Sequence, residues 1–129
     1  MNMPGQLALV AAGGASGALA RYGVSLWMRT ADRTSFPYAT LTVNVIGSLL
    51  AGILLVLYTQ TAPNNAGLRL FGAVGFLGAF TTFSAFSVET MLLLEAGNWS
   101  VAGVNIALNI LLCLILCGLG IALARACLV

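Results

Sequence analysis

Phenyl rings and hydroxyls alternate along Gly75–Ser87, which reads GFLGAFTTFSAFS. Phe76, Phe80, Phe83 and Phe86 are interleaved there with Thr81, Thr82, Ser84 and Ser87. The stretch holds no nucleophile with a base beside it, so the chemistry open to it is recognition rather than bond-making. A phenyl ring is electropositive at its edge and a hydroxyl donates a hydrogen bond, so the two together suit an anion. The competing role is packing: apolar residues at helical spacing usually fill an interface, and each ring taken singly reads more readily that way. As a cluster they argue for the anion.

The stretch lies inside an apolar segment from Leu68 to Leu94, long enough to cross a bilayer. Gly75, Gly78 and the β-branched pair Thr81-Thr82 weaken helix continuity midway, which predicts a third helix broken at mid-membrane. In hydrocarbon, unwound backbone survives only where it is buried in protein or lines a polar cavity, because each unpaired N–H or C=O costs several kcal/mol. Such a break points to an ion site. With the helix resuming near Thr82, spacing puts Thr82, Phe86 and Glu89 on one face and Phe83, Ser87 and Thr90 on a neighbouring one.

The rest of the chain must hold this stretch in a membrane. Of its 129 residues 60% are hydrophobic and 6% charged, far below the roughly 25% charged residues of soluble domains. The expectation is an all-α integral membrane protein with one four-helix transmembrane domain over residues 1–129. Its helices fall at about 4–28, 37–58, 68–95 and 101–124. There is no Lys and no His, so neither a nucleic-acid surface nor a histidine proton relay is supported. Cys113, Cys117 and Cys127 lack the spacing of a zinc site and read as small packing residues.

In the first span, Gly13 and Gly17 have the small-xxx-small spacing that admits a neighbouring helix, with Gly14 beside them. No basic region precedes this span, so it reads as retained rather than as a cleaved signal. Arg21 lies well inside it and needs a cavity, a partner or the interface. In the second span Thr40, Asn44 and Ser48 form one polar line, and Gly47 with Ala51 and Ser48 with Gly52 repeat the close-approach spacing. Asn44 serves either to join helices or to contact an ion. Glu95 ends the third span near Gly97, whereas Glu89 lies deeper and can face a vestibule. Asn105 and Asn109 form a polar stripe on the fourth span.

Four spans put both termini on one side. Arg29 and Arg33 then flank one face and Arg69 and Arg125 the other, so the positive-inside rule selects neither orientation. A chain of this kind can insert both ways and pair antiparallel with itself. Short helices with close-packing motifs leave little room for a private pore, which also asks for at least a dimer.

Three segments, GGASGALARY at Gly13–Tyr22, LTVNVIGS at Leu41–Ser48 and above all GFLGAFTTFSAFSVE at Gly75–Glu89, resemble the small bacterial fluoride channels of the Fluc (CrcB) family. The likeness covers essentially the whole chain. It implies an antiparallel, dual-topology homodimer in the bacterial inner membrane that exports fluoride passively through two pores. It also implies a structural sodium ion at the dimer centre, held by the matching carbonyls of Gly78 and Thr81. The family's pore positions match Phe83 and Phe86, Asn44, the hydroxyls of Thr82 and Ser84, Arg21 and Glu89. Thr40 and Asn109 extend the same polar pathway. Where many members have a second glycine, this chain has Ala79. Donors at Asn44, Thr82 and Ser84 and the ring edges of Phe83 and Phe86 agree with the residue-level reading of an anion path. No catalytic constellation is present, so an enzyme is not expected.

Two other classes compete. A proton-coupled exporter needs an embedded carboxylate, for which Glu89 and Glu95 are the candidates. A non-transporting assembly subunit would use the broken helix only for packing.

Overall fold

The computed structural model describes residues 2–31 and 36–128, with side chains for 2–28 and 36–128. Arg33 and the side chain of Arg29, both counted in the charge balance, lie outside the described residues. Every described element is helical. In chain order they are α1 (Met3–Ala31), α2 (Tyr38–Val56) continued by a π-helical turn (Leu57–Thr61), a π-helical segment (Leu68–Leu77) running into the short α3 (Gly78–Phe80), α4 (Phe83–Glu95) and α5 (Trp99–Leu128). Four helical spans among the described residues are long and apolar enough to cross a membrane, namely Met3–Met28, Tyr38–Thr61, Leu68–Glu95 and Trp99–Leu128.

Polar side chains set several of the helix ends. Asn2 Oδ1 accepts from Gly5 N at 3.2 Å at the start of α1, and Asn65 Oδ1 accepts from Leu68 N at 3.0 Å where the third span begins. Pro37, whose missing N–H costs nothing before the first turn, is the N-cap of α2. The end of α4 is a Schellman turn: Gly97 has φ 77°, its N–H donates to Leu94 O at 3.0 Å, and Asn98 N donates to Leu93 O at 2.9 Å. α5 starts at once after this turn and runs on through Leu128, past the expected end near residue 124, because no proline or glycine follows Gly120 to end it.

Two pairs of elements approach closely through glycine. A Cβ on Gly17 would meet the Phe76 carbonyl, so α1 lies directly against the π-helical segment of the third span. Cβ atoms on Gly52 and Gly120 would meet the Cys117 and Leu49 carbonyls, which seats α2 on α5. Gly14 and Gly118, by contrast, have open space around them. The core of Val43, Leu77 and Phe80, flanked by Ala20, Val24, Ala51, Leu54 and Phe76, lies where α1, α2 and the third span meet.

The third span is not continuous. Thr81 (φ −84°, ψ 156°) and Thr82 (φ −152°, ψ 111°) are extended, and helix resumes at Phe83 with Thr82 as its N-cap. Thr82 Oγ1 accepts from Ala85 N at 3.1 Å.

Candidate ion pathway

The extended Thr81–Thr82 pair needs partners for backbone groups that a helix would satisfy internally. One side chain provides those of Thr82. Asn44 Oδ1 accepts from Thr82 N at 2.8 Å, and Asn44 Nδ2 donates to Thr82 O at 3.2 Å. Position 47, one turn further along α2, is glycine where the Thr81 side chain comes against it. Asn44 is therefore placed by α2 opposite the interruption, and α2 can approach because Gly47 has no side chain.

This arrangement changes what the neighbouring carbonyls can do. In a continuous helix Thr82 N would donate to Gly78 O and Ala85 N to Thr81 O. Here those two donors go instead to Asn44 Oδ1 and Thr82 Oγ1. The carbonyls of Gly78 and Thr81 have thus lost their helical donors, and both residues line an open cavity of about 590 Å³. Hard oxygen donors of this kind fit a cation such as sodium.

The four phenylalanines separate into two pairs. Phe76 and Phe80 stack with ring centroids 5.6 Å apart and belong to the core. Phe83 and Phe86 meet at 5.3 Å with their planes inclined by 53°, and both line the 590 Å³ cavity with Asn44, Ser48 and Asn109. Phe86 is 7% exposed but Phe83 is 78% exposed, so the pair straddles the edge of the chain's own packing. Cys113, read as a packing residue, lines the same cavity one turn beyond Asn109, and Tyr58 lies on its wall too. The sequence signal for Cys113 was its i,i+4 continuation of the Asn105, Asn109 stripe.

Polar side chains extend the site on either side. Thr82 and Ser84 hydroxyls lie 3.2 Å apart. Asn44 Nδ2 donates to Asn109 Oδ1 at 3.0 Å, which ties α2 to α5 at the interruption. Asn44, expected to donate to an ion, has both amide hydrogens taken by Thr82 O and Asn109 Oδ1. Thr40 Oγ1 donates to Glu89 Oε1 at 2.7 Å. A second cavity, about 280 Å³, is lined by Arg21, Tyr22, Ser25, Thr40, Thr82 and Glu89, and Glu89 Oε2 is buried without a hydrogen-bond partner. Arg21, Thr40 and Glu89 thus share one cavity whose inner wall is Thr82. Glu95 is exposed at the end of α4 and belongs to neither cavity.

Comparison with known proteins places the chain in a family. Residues 8–121 match the family model described as CrcB-like protein, Camphor Resistance (CrcB). A relative from Magnetococcus marinus, named fluoride-specific ion channel FluC, is 44% identical over 120 residues, covering 93% of this chain and 98% of the relative. One of the same name from Syntrophotalea carbinolica is 47% identical over 119 residues, covering 92% and 97%. Another from Idiomarina loihiensis is 49% identical over 105 residues, 81% of each chain. The four apolar spans and a family match over most of their length make this a multi-pass membrane protein, and the chain belongs to the CrcB family.

Proposed function

We propose that this chain forms a fluoride-selective channel, not an enzyme or a pump, which lets fluoride leave the bacterial cytoplasm passively across the inner membrane. The observation that carries the reading is the interrupted third span: Thr81–Thr82 held extended by Asn44, with the Phe83–Phe86 pair beside it on an open face. Relatives named fluoride-specific channels supply the identity of the ion.

Fluoride is small and strongly hydrated, so a pore must replace its water with donors while holding it loosely enough to release it. Thr82 and Ser84 share one hydroxyl hydrogen across 3.2 Å, which leaves the other hydroxyl hydrogen to donate to the ion. The edges of Phe83 and Phe86 add weak positive potential, and a narrow phenyl-lined passage disfavours larger halides. Asn44 and Asn109 line the passage at the interruption. Arg21, Thr40 and Glu89 form its mouth, where the guanidinium attracts anions into the 280 Å³ cavity.

The working unit is an antiparallel homodimer. A largely exposed phenyl ring in the ion pathway is complete only when a second copy covers it, and Phe83 is 78% exposed in one copy. Gly78 and Thr81 carbonyls from both copies would hold a structural sodium ion at the dimer centre. When bound there, sodium supplies positive charge that offsets the cost of carrying an anion through low dielectric.

Liposomes loaded with fluoride, and separately with chloride, test the proposal with an ion-selective electrode. Rapid fluoride loss with chloride retained is the expected outcome. A folded dimer that releases no fluoride overturns it, and a flux that needs a proton gradient and vanishes in Glu89→Gln replaces it with proton-coupled export.

A further inference from the structure

Asn44, Asn109, Asn105 and Thr90 form one hydrogen-bonded chain whose direction is fixed at both ends. The Thr82 N–H can only donate, so the Asn44 atom 2.8 Å from it is Oδ1, and Nδ2 then faces the Thr82 carbonyl at 3.2 Å. Nδ2 also donates to Asn109 Oδ1 at 3.0 Å. Asn109 Nδ2 in turn meets the Asn105 backbone carbonyl, which can only accept, at 3.1 Å, and Asn105 Oδ1 at 3.0 Å. Asn105 Nδ2 donates to Thr90 Oγ1 at 2.9 Å, and the Thr90 hydroxyl donates to Phe86 O at 2.7 Å. Reversing any one amide would set donor against donor or acceptor against acceptor.

The chain therefore runs from the interrupted backbone at Thr82, across α2 and α5, and back to the backbone of a ring in the pathway. Asn105 is 0%, Asn109 6% and Thr90 7% exposed, so the links among these three lie away from water. Both hydrogens on the Asn44 amide and both on the Asn109 amide are spent inside the chain. Neither amide has a hydrogen to give an ion without breaking a bond, so their part in ion passage is to fix shape.

We propose that Asn105 and Thr90 are positioning residues for the ion pathway. Acting through Asn109, they set the orientation of the Asn44 amide, and with it the geometry of Thr81–Thr82 and of Phe86. The proposal rests on the channel reading above for its functional arm, while its structural arm is independent of that reading.

Thr90→Val keeps the shape of the side chain and removes the hydroxyl, whereas Thr90→Ser keeps the hydroxyl. Three readouts are compared with the parent: fluoride efflux from liposomes, the fluoride-to-chloride efflux ratio, and hydrogen exchange of the Asn44 and Asn109 side-chain amides by NMR in micelles. Thr90→Val should slow fluoride efflux about tenfold, lower the ratio, and speed exchange at both amides, with Thr90→Ser restoring all three. Asn105→Leu added to Thr90→Val also removes the Oδ1 that accepts from Asn109 Nδ2, so it should speed exchange at both amides further.

Unchanged amide exchange and efflux in Thr90→Val overturns the proposal. So does an equal loss in the Val and Ser variants, which would mean that Thr90 acts by packing alone. Should Thr90→Val not fold, Thr90→Cys, with a weaker donor, is expected to give intermediate exchange, and parent-like exchange there counts against the idea. A parent protein that releases no fluoride sinks the channel reading instead, and the amide-exchange arm still decides whether Thr90 orients Asn44.

Discussion

Asn44 substitutes for a neighbouring strand: one side-chain amide satisfies both the N–H and the C=O of Thr82. Each such group left unpaired in a protein interior costs about 1–3 kcal/mol, and water is scarcer still in hydrocarbon. Asn44→Leu should therefore lower the thermal midpoint of the detergent-solubilised protein and abolish fluoride efflux, because the interruption loses its only side-chain partner on α2. An Asn44→Leu protein with parent-like melting and efflux would show that the break holds itself open. The rings make a sharper comparison. Phe86 is 7% exposed and Phe83 78%, so Phe86→Ile should destabilise the fold by about 1–3 kcal/mol through altered packing, whereas Phe83→Ile should leave the fold of one copy intact. Both should cut fluoride efflux, the Phe83 variant as a folded dimer. Retained flux in folded Phe83→Ile would return the ring pair to a packing role. The sequence displayed the rings and hydroxyls as one cluster, and residue type alone could not divide them. The division comes from α3 ending at Phe80, which leaves Phe76 and Phe80 in the core while Phe83 and Phe86 turn to the open face. The pairing of Asn105 with Thr90 was equally hidden, because it joins different helices and local spacing carries no sign of it.

At the scale of elements, glycine positions decide how the spans meet. Gly52 and Gly120 face carbonyls of the opposing helix with no room for a methyl group, while Gly23 and Gly103 have open space around them. Gly52→Val or Gly120→Val should drive α2 from α5 and, because Asn44 and Asn109 bridge the same two helices, pull the buried amides apart. Overpacking of this kind typically costs about 1–3 kcal/mol, and loss of the bridge adds to it. The expected result is low yield of folded protein in detergent, with Gly23→Ala and Gly103→Ala purifying like the parent. Normal folding of Gly52→Val would mean that the α2 and α5 contact is looser than its geometry indicates. Such spacing was readable from small residues four apart, though it marked Gly14 and Gly118 as readily as Gly17 and Gly120, since the pattern does not say which side of a helix has a neighbour. Nor did the pattern foretell π-helical winding at Leu57–Thr61 and Leu68–Leu77, because an i→i+5 ladder is built from the same apolar residue types as an α-helix. Only the end of that winding, at the glycine and paired threonines before Phe83, carried a visible composition signal.

For the whole molecule, orientation in the membrane is the property on which the proposed dimer depends. Arginines 29 and 33 lie on the side of the first connection, and arginines 69 and 125 on the other, so the charge bias that sets topology is balanced. The proposed dimer needs copies inserted in both directions, so that they meet antiparallel, each covering the other's Phe83 and adding its Gly78 and Thr81 carbonyls at the centre. Breaking the balance should therefore break function without touching the pathway. Asn64→Lys with Asn65→Lys adds two positive charges to the connection between the second and third spans, and Thr34→Lys with Ser35→Lys adds two to the first connection. Each double variant alone should insert in one orientation, as read by the accessibility of a terminal tag from either side, and should fail to protect fluoride-sensitive cells. Asn65 also caps the third span through Leu68 N, so the pair at 34 and 35 serves as the control for a lost cap. Expressed together, the two variants present opposite orientations, and protection should return only then. Full protection by either double variant alone would exclude the antiparallel arrangement, whereas no protection by the mixture, with both variants inserted and folded, would show that opposite orientation is not sufficient to assemble the pore.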